Sequence, residues 1–288
     1  MKLEDFQFDG SKKFKIKDAP TSLHIDKDKR PEYEEKTEKN IQKMISLQDK
    51  LYADGREGVV IMFQAMDAAG KDSTIKHVMS GLNPQGVDVY SFKQPSKEEL
   101  AHDYLWRAIV HLPERCKIGL FNRSYYEDVL VVRVHELQKT YKMPERCLDM
   151  DADDLFEMRF RQIRDFERYI YENGYRLLKV FLNVGLDEQK ERFLARIDDE
   201  SKNWKFSAGD LDERDLWPKY MDAFEDAING TATKHAPWYA IPADQKWVTR
   251  YLVSEAVVKT LEACDSKYPE LSDEEKANLG TYKARLQA

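Results

Sequence analysis

The sequence predicts an α/β fold in three layers, with a parallel five-stranded sheet between helices. Three observations carry that expectation. Short apolar runs alternate with amphipathic, helix-forming segments along the chain. The runs are near-continuous in Val, Ile, Leu and Phe, the pattern of strands buried on both faces. The first run, "GVVIMFQAM", ends in "DAAGKDST", a loop carrying Gly-Lys that opens the next helix.

Residues 1–32 are polar and read as an extended N-terminal arm packed on the body. The stretch Pro31–Tyr52 places Ile41, Met44, Ile45 and Leu51 on one helical face, with Leu47 at its edge. "GVVIMFQAM" is the first strand, and "STIKHVMSGLN" a helix stopped at Asn83-Pro84. "VDVYSF" is a second strand. "SKEELAHDYLWRAIVHL" reads as a helix opened by a Ser96/Glu99 capping box and ended by Pro113. "KIGLFNR" is a third strand, and a long helix comes next, closed by Gly174. "YRLLKVFLNV" is a fourth strand, then come helices "DEQKERFLARIDD" and "ERDLWPKYMDAFEDAIN". "WYAIPA" is the fifth strand and "KWVTRYLVSEAVVKTLEAC" a closing helix. Neither a repeat nor a Pro/Gly/Ser-rich linker divides the chain, so residues 1–288 are expected to form one domain.

Bulk composition narrows the function. With 46 Lys and Arg against 53 Asp and Glu, the net charge of −7 argues against a general nucleic-acid binder. A local basic groove for a smaller anion stays compatible with it. No apolar run reaches the ~20 residues that span a bilayer, and "MKLEDFQFDGSKKFK" lacks the apolar core of a secretory signal. Cys116, Cys147 and Cys264 are scattered, which suits reduced thiols in a cytoplasmic protein. His77, His102, His111 and His135 lie in separate elements without ligand spacing. Trp204, Trp217, Trp238 and Trp247 read as core residues, and the arginines 161, 164 and 168 as a solvated helix face.

The Gly-Lys loop is the centre of the chemistry. A strand, a turn and a helix in that order place backbone N–H groups and the positive end of a helix against a bound anion. The usual signature G-x-x-x-x-G-K-[ST] is altered here: Ala65 replaces the first glycine and Asp72 the magnesium-binding hydroxyl. The loop residues Ala68, Ala69, Gly70, Lys71, Asp72 and Ser73 are the expected phosphate-binding set. A carboxylate at Asp67 beside phosphates calls for a cation between them, and Mg²⁺ accepts one or two carboxylates plus phosphates and water. Local sequence leaves a simple turn or helix-cap role for Asp67 open.

Ligands of such sheets bind beyond the carboxyl ends of the strands. Asn122 and Arg123, ending the third strand in "FNRSYYEDVLVVRV", should therefore face the loop. Arg123 and Arg133 offer forked donors for phosphate oxygens, and Glu127 and Asp128 a second magnesium-binding or nucleotide-binding group. Arg192 and Arg196, one helical turn apart, and Lys205 form a basic segment; an ion-pair stripe with Glu188 and Glu191 is the competing reading.

Together "QAMDAAGKDSTIKHVMSGLNPQGV", "SFKQPSKEELAHDYLWR", "FNRSYYEDVLVVRVHEL", "NWKFSAGDLDERDLWPKY" and "APWYAIPADQKW" closely resemble the polyphosphate kinase 2 family, from about Tyr52 to the last helix. The resemblance implies a P-loop kinase core with a helical lid. It also implies Mg²⁺-dependent movement of phosphoryl groups between inorganic polyphosphate and nucleotides. Asp67, Gly70 and Lys71 then match the Walker A positions and Asn122 and Arg123 the Walker B position, with Glu127 and Asp128 just behind. Arg133, Arg192 and Arg196 match basic positions of the phosphate site and lid. "FNRSYYEDV", where restricted members carry "FDRSWYNR", is similar to the subgroup acting on both nucleoside mono- and diphosphates. The expected partners are polyphosphate and AMP, ADP and ATP, with GMP and GDP left open. Family members are commonly homo-oligomers; neither nucleic acid nor membrane is expected. An ATP-dependent nucleoside monophosphate kinase and a non-enzymatic nucleotide-binding regulator are the competing functions.

Overall fold

A computed structural model describes residues 2–288 of the chain. The arm crosses the body in short 3-10 turns and one two-residue strand, β1 (Gln7–Phe8). Its backbone is held by side chains of the body. Asn229 accepts from the Phe14 amide at 2.8 Å and donates to its carbonyl at 3.0 Å, while Glu225 accepts from the Ile16 amide at 2.8 Å. Helix α1 (Arg30–Asp54) starts with a proline in its first turn and ends at Gly55, whose φ of 70° suits glycine. It buries Ile41, Met44 and Leu51, as the periodicity predicts, with Ile45 and Leu47 partly buried beside them.

Strand β2 (Gly58–Gln64) is buried throughout and runs into the Gly-Lys loop, from which α2 (Lys71–Val78) departs. Strand β3 (Val87–Ser91), the short α3 (Trp106–Ile109) and β4 (Ile118–Asn122) succeed it. Next come the single turns α4 (Val131–Val134) and α5 (Glu145–Leu148), and the long α6 (Ala152–Glu172). Strand β5 (Tyr175–Asn183) leads to α7 (Leu186–Ile197), a 3-10 turn over Glu200–Lys205, α8 (Gly209–Asp215) and α9 (Trp217–Thr231). Strand β6 (Trp238–Pro242), α10 (Lys246–Ala263) and α11 (Asp273–Gln287) complete the chain.

The strands stand in the order β1-β6-β5-β2-β4-β3. The five predicted strands pair in parallel, and helices cover the sheet: α10, with α1 behind it, packs on β2, β5 and β6, and α6 with α9 packs on β5. The sheet is nevertheless six-stranded and mixed, because β1 adds to β6 antiparallel, Phe8 opposite Trp238. Two residues carry no readable periodicity, so that strand was invisible in the sequence.

Three helix expectations also change. The Ser96/Glu99 capping box forms, with backbone-to-side-chain bonds of 2.6 and 3.2 Å, but it leads only into a 3-10 turn over Glu99–Ala101. Glu99 is drawn instead to Arg107 (3.0 Å) and the Tyr90 hydroxyl (3.3 Å), and His102 is extended before α3 begins. The predicted helix through Trp217 breaks at Leu216 into α8 and α9, where Pro218 favours a new start. Helix α11 is unanticipated; it is opened by a Ser272/Glu275 capping box and buries none of its residues.

Candidate active site

The parallel register brings two strand ends side by side. Phe63 of β2 stands opposite Asn122 of β4, and the Arg123 amide donates to the Phe63 carbonyl at 2.9 Å. The segments leaving the two strands, residues 65–70 and residues 123–128, therefore meet at the carboxyl edge of the sheet. Backbone conformation there is unusual. Ala68 has φ 59°, Arg123 φ 62° and Gly70 φ 101°. Only glycine adopts the last value freely, which fixes the Gly of Gly-Lys on conformational grounds.

Arg123 is the hub of the site. Its Nη2 lies 2.9 Å from Asp67 Oδ1 and its Nη1 3.1 Å from Glu127 Oε2. Glu127 foremost, and Asp67 against the cost of burial, hold the guanidinium charged well above its ordinary range. Glu127 is fixed from behind by the Gln64 amide, whose nitrogen donates to Oε1 at 2.8 Å when its oxygen accepts from the Ser124 amide. Asp67, Arg123 and Glu127 line a cavity of about 270 Å³ with Ala65, Met66, Glu213 and Tyr220.

Lys71 is buried, with Nζ 2.9 Å from the Ala65 carbonyl and 3.4 Å from that of Met66. Burial first, and the nearby Arg123 charge second, lower its pKa to about 8. Asn122 Nδ2 donates to Asp72 Oδ1 at 2.7 Å, tying the strand end to the first turn of α2.

Asp128, next to Glu127 in sequence, does not face this cavity. It lines a second one of about 340 Å³ with Tyr104, Arg107, Tyr141, Met143 and Arg159. Burial raises its pKa to about 7 in spite of Arg159 and Arg107, and Arg159 Nη1 donates to its carbonyl at 2.6 Å. The expected pairing of Glu127 and Asp128 as one magnesium-binding group is not assembled: the 3-10 turn over Tyr125–Asp128 sends the two adjacent acids to different cavities.

The Gly-Lys loop between β2 and α2, an arginine clamped by two acids and a second cavity beyond them make up the candidate site. The family model described as Polyphosphate kinase 2 (PPK2) matches residues 27–269. The chain belongs to the polyphosphate kinase 2 family. It is similar to the ADP-polyphosphate phosphotransferase of Rhodopseudomonas palustris, 44% identical over 97% of this chain and 96% of that one. The AMP/ADP-polyphosphate phosphotransferase of Meiothermus ruber is 46% identical over 78% of this chain and 79% of its own. The crystal structure of polyphosphate kinase 2 from Arthrobacter aurescens TC1 superposes with a TM-score of 0.82 at 34% identity, covering 96% of both chains. The fold is thus that of the polyphosphate kinase 2 family, P-loop kinase-like, and the protein is a kinase-type phosphotransferase.

Within this polyphosphate kinase 2 fold the expected basic residues divide. Arg192 is not a free lid arginine. Its Nη1 donates to the carbonyls of Ala68 (3.1 Å) and Ala69 (2.7 Å), and its Nη2 to that of Ala243 (2.7 Å). Its Nε binds Glu188 Oε1 at 2.8 Å. It braces the loop from behind, and the competing ion pair with Glu188 exists as well. Arg133 is held by Asp226 at 2.8 Å over the Phe156 ring and does not line the loop cavity. Arg196 reaches the Lys205 carbonyl (3.3 Å) and Asp210 (3.6 Å), so it organises the segment between α7 and α8. Lys205 is exposed, its ammonium 5.0 Å from the Trp204 ring centroid. Trp204 itself is 78% exposed, which corrects its assignment to the core. Arg164, expected in solvent, donates to the Gly230 carbonyl.

Sequence reasoning missed two groups. Gln189 Nε2 donates to the Asp67 carbonyl at 2.9 Å and is itself gripped by Arg214 at 2.8 Å. Glu213, on the wall of the loop cavity, lies 3.0 Å from His135 Nε2 and accepts from the Tyr220 hydroxyl. His135 and Glu213 are 78 positions apart, a separation with no local signal.

Proposed function

We propose that the chain transfers the terminal phosphoryl group of polyphosphate to AMP and ADP, giving ADP and ATP, reversibly and with Mg²⁺. The observation that carries this reading is the pair of cavities divided by Glu127 and Asp128, one against the phosphate loop and one lined by aromatic and basic side chains. A nucleotide combines a stacking ring with anionic groups, which is what Tyr104, Tyr141, Arg107 and Arg159 offer together. Polyphosphate needs only the loop and cations. The Rhodopseudomonas and Meiothermus relatives, named as ADP- and AMP/ADP-polyphosphate phosphotransferases, support both substrates.

Because the acceptor is already an anionic phosphate, no strong general base is required; positioning and electrostatics suffice. The loop amides, the α2 N-terminus and Lys71 hold phosphate oxygens. Arg123 stands between Asp67 and Glu127, where it balances the charge of the moving group. The donor set suits Mg²⁺: Asp67 and Glu127 give two hard carboxylates, and substrate phosphates and water complete the shell. When bound, the ion neutralises the repulsion between donor and acceptor phosphates.

Asn122, in place of an acid, is neutral and engaged with Asp72, so a shorter acceptor meets less repulsion at the strand end; this is the basis for assigning AMP as well as ADP. One assay tests the reading. Purified protein is given Mg²⁺, AMP and polyphosphate without ATP, and ADP and ATP are monitored; GMP and GDP are run alongside. Sequential ADP and ATP is expected. Product only when ATP is supplied would identify an ordinary monophosphate kinase, and none at all a nucleotide-binding regulator.

A further inference from the structure

A buried ion pair lies in the core behind the site. Lys179 of β5 and Glu167 of α6 are fully buried, with Nζ and Oε2 2.7 Å apart. Burying such a pair costs several kcal/mol per ion, and well-packed apolar residues in its place are often as stable or more so. Stability alone therefore does not account for it. Its hydrogen bonds are directional. Glu167 Oε1 accepts from the hydroxyls of Tyr125 (2.9 Å) and Tyr126 (2.7 Å). Lys179 Nζ adds the Tyr126 hydroxyl at 3.1 Å and the Thr231 carbonyl at 2.9 Å.

Tyr125 and Tyr126 are the first two residues of the 3-10 turn whose last two are Glu127 and Asp128, and Arg123 lies just ahead of that turn, separated from it by Ser124. Both rings are buried and stacked, with centroids 5.1 Å apart. One carboxylate oxygen thus fixes two consecutive residues of the turn. On one side of them Arg123 is held in a left-handed conformation, and on the other Glu127 and Asp128 diverge into separate cavities.

We propose that Glu167, with Lys179, is a positioning residue for phosphoryl transfer. Through the Tyr125 and Tyr126 hydroxyls it sets the turn that aims Arg123 and Glu127 at the loop and Asp128 at the second cavity. Neither Glu167 nor Lys179 touches a substrate site; the effect passes through the two phenols. The inference rests on the function proposed above, because it is read through the rate of that reaction.

The test compares two neutral replacements of the pair. Glu167→Gln/Lys179→Met retains an amide oxygen that accepts from both tyrosines, whereas Glu167→Leu/Lys179→Met retains none. The Gln variant is expected to keep kcat within about threefold of the parent, and the Leu variant to lose at least about tenfold in kcat at a comparable Tm. Tyr125→Phe/Tyr126→Phe, which deletes only the hydroxyls, should reproduce the loss, with KM for polyphosphate changed less than kcat. It also decides the matter should the Leu variant not fold. Unchanged kcat in the Phe variant, or equal kcat in folded Gln and Leu variants, would overturn the proposal. Wild-type protein run in parallel separates the two readings: no turnover of polyphosphate there sinks the function, whereas turnover with indifferent variants sinks only the positioning role.

Discussion

Arg123 binds Asp67 and Glu127 at once, so removing either acid leaves its charge half-compensated at the proposed point of transfer. Asp67→Ala and Lys71→Ala should each lower turnover by about 10²-fold or more, the scale of losing one aimed electrostatic group, with circular dichroism unchanged. A folded variant retaining near-parental rate would remove that residue from the mechanism. Lys71 also sets a pH dependence. Its folded pKa of about 8 lies below the ordinary lysine value, so the folded protein loses this proton first as pH rises. KM for polyphosphate should therefore climb through about pH 8, where the loop loses its cation, while ligand-free stability rises from about pH 8 to about pH 10.5, where only the unfolded chain keeps this proton. Asn122→Asp should slow AMP phosphorylation more than ADP phosphorylation, since it places a carboxylate beside Asp72; equal rates on both would undo the acceptor argument. At this scale much was legible. The placement of Asp67, Gly70 and Lys71 at the end of β2 follows from a strand–turn–helix pattern, whereas the split of Glu127 from Asp128 depends on a turn pinned from the core.

Among the elements, the loop between β2 and α2 depends on α7. Arg192 delivers its donors to the Ala68 and Ala69 carbonyls of that loop and to Ala243 beyond it, and each charge-assisted bond is worth about 1.5–3 kcal/mol. With water taking over part of those bonds, Arg192→Met should cost a net of about 2–3 kcal/mol, lowering Tm by roughly 5–10 °C, and raise KM for polyphosphate, measured by thermal melt and steady-state kinetics; a purely kinetic effect would contradict the bracing role. The sequence placed Arg192 and Arg196 on one helical face correctly, yet periodicity says nothing of what that face meets. The five parallel strands were readable because they are largely apolar runs bounded by turns. The helix expected over residues 96–112 failed for an opposite reason. Its capping box is real, but Glu99 is engaged by Arg107 and Tyr90 from other elements, and such competition leaves no local trace.

The whole molecule is held together across its sequence by the arm, whose Phe14 is 1% exposed and whose backbone is gripped by Asn229 and Glu225. Phe14→Ala should cost about 3 kcal/mol of stability while leaving kcat per folded molecule unchanged, because Phe14 packs beside Phe8 and is bonded to Asn229 of α9, away from the loop. An equal loss of kcat at a temperature where the variant is folded would show that the loss of Phe14 is felt at the site. Polarity and the absence of periodicity marked residues 1–32 as an arm, but not the pairing of Gln7 and Phe8 with β6. That pairing makes the two margins of the sheet unequal. On one side the last strand is two residues long, too short to template another chain. On the other, β3 offers five residues with Val89 63% exposed. A copy added edge to edge would have to join at β3, and a two-fold pairing there consumes both available margins. Growth by sheet extension would then stop at a dimer and could not run on into a fibre.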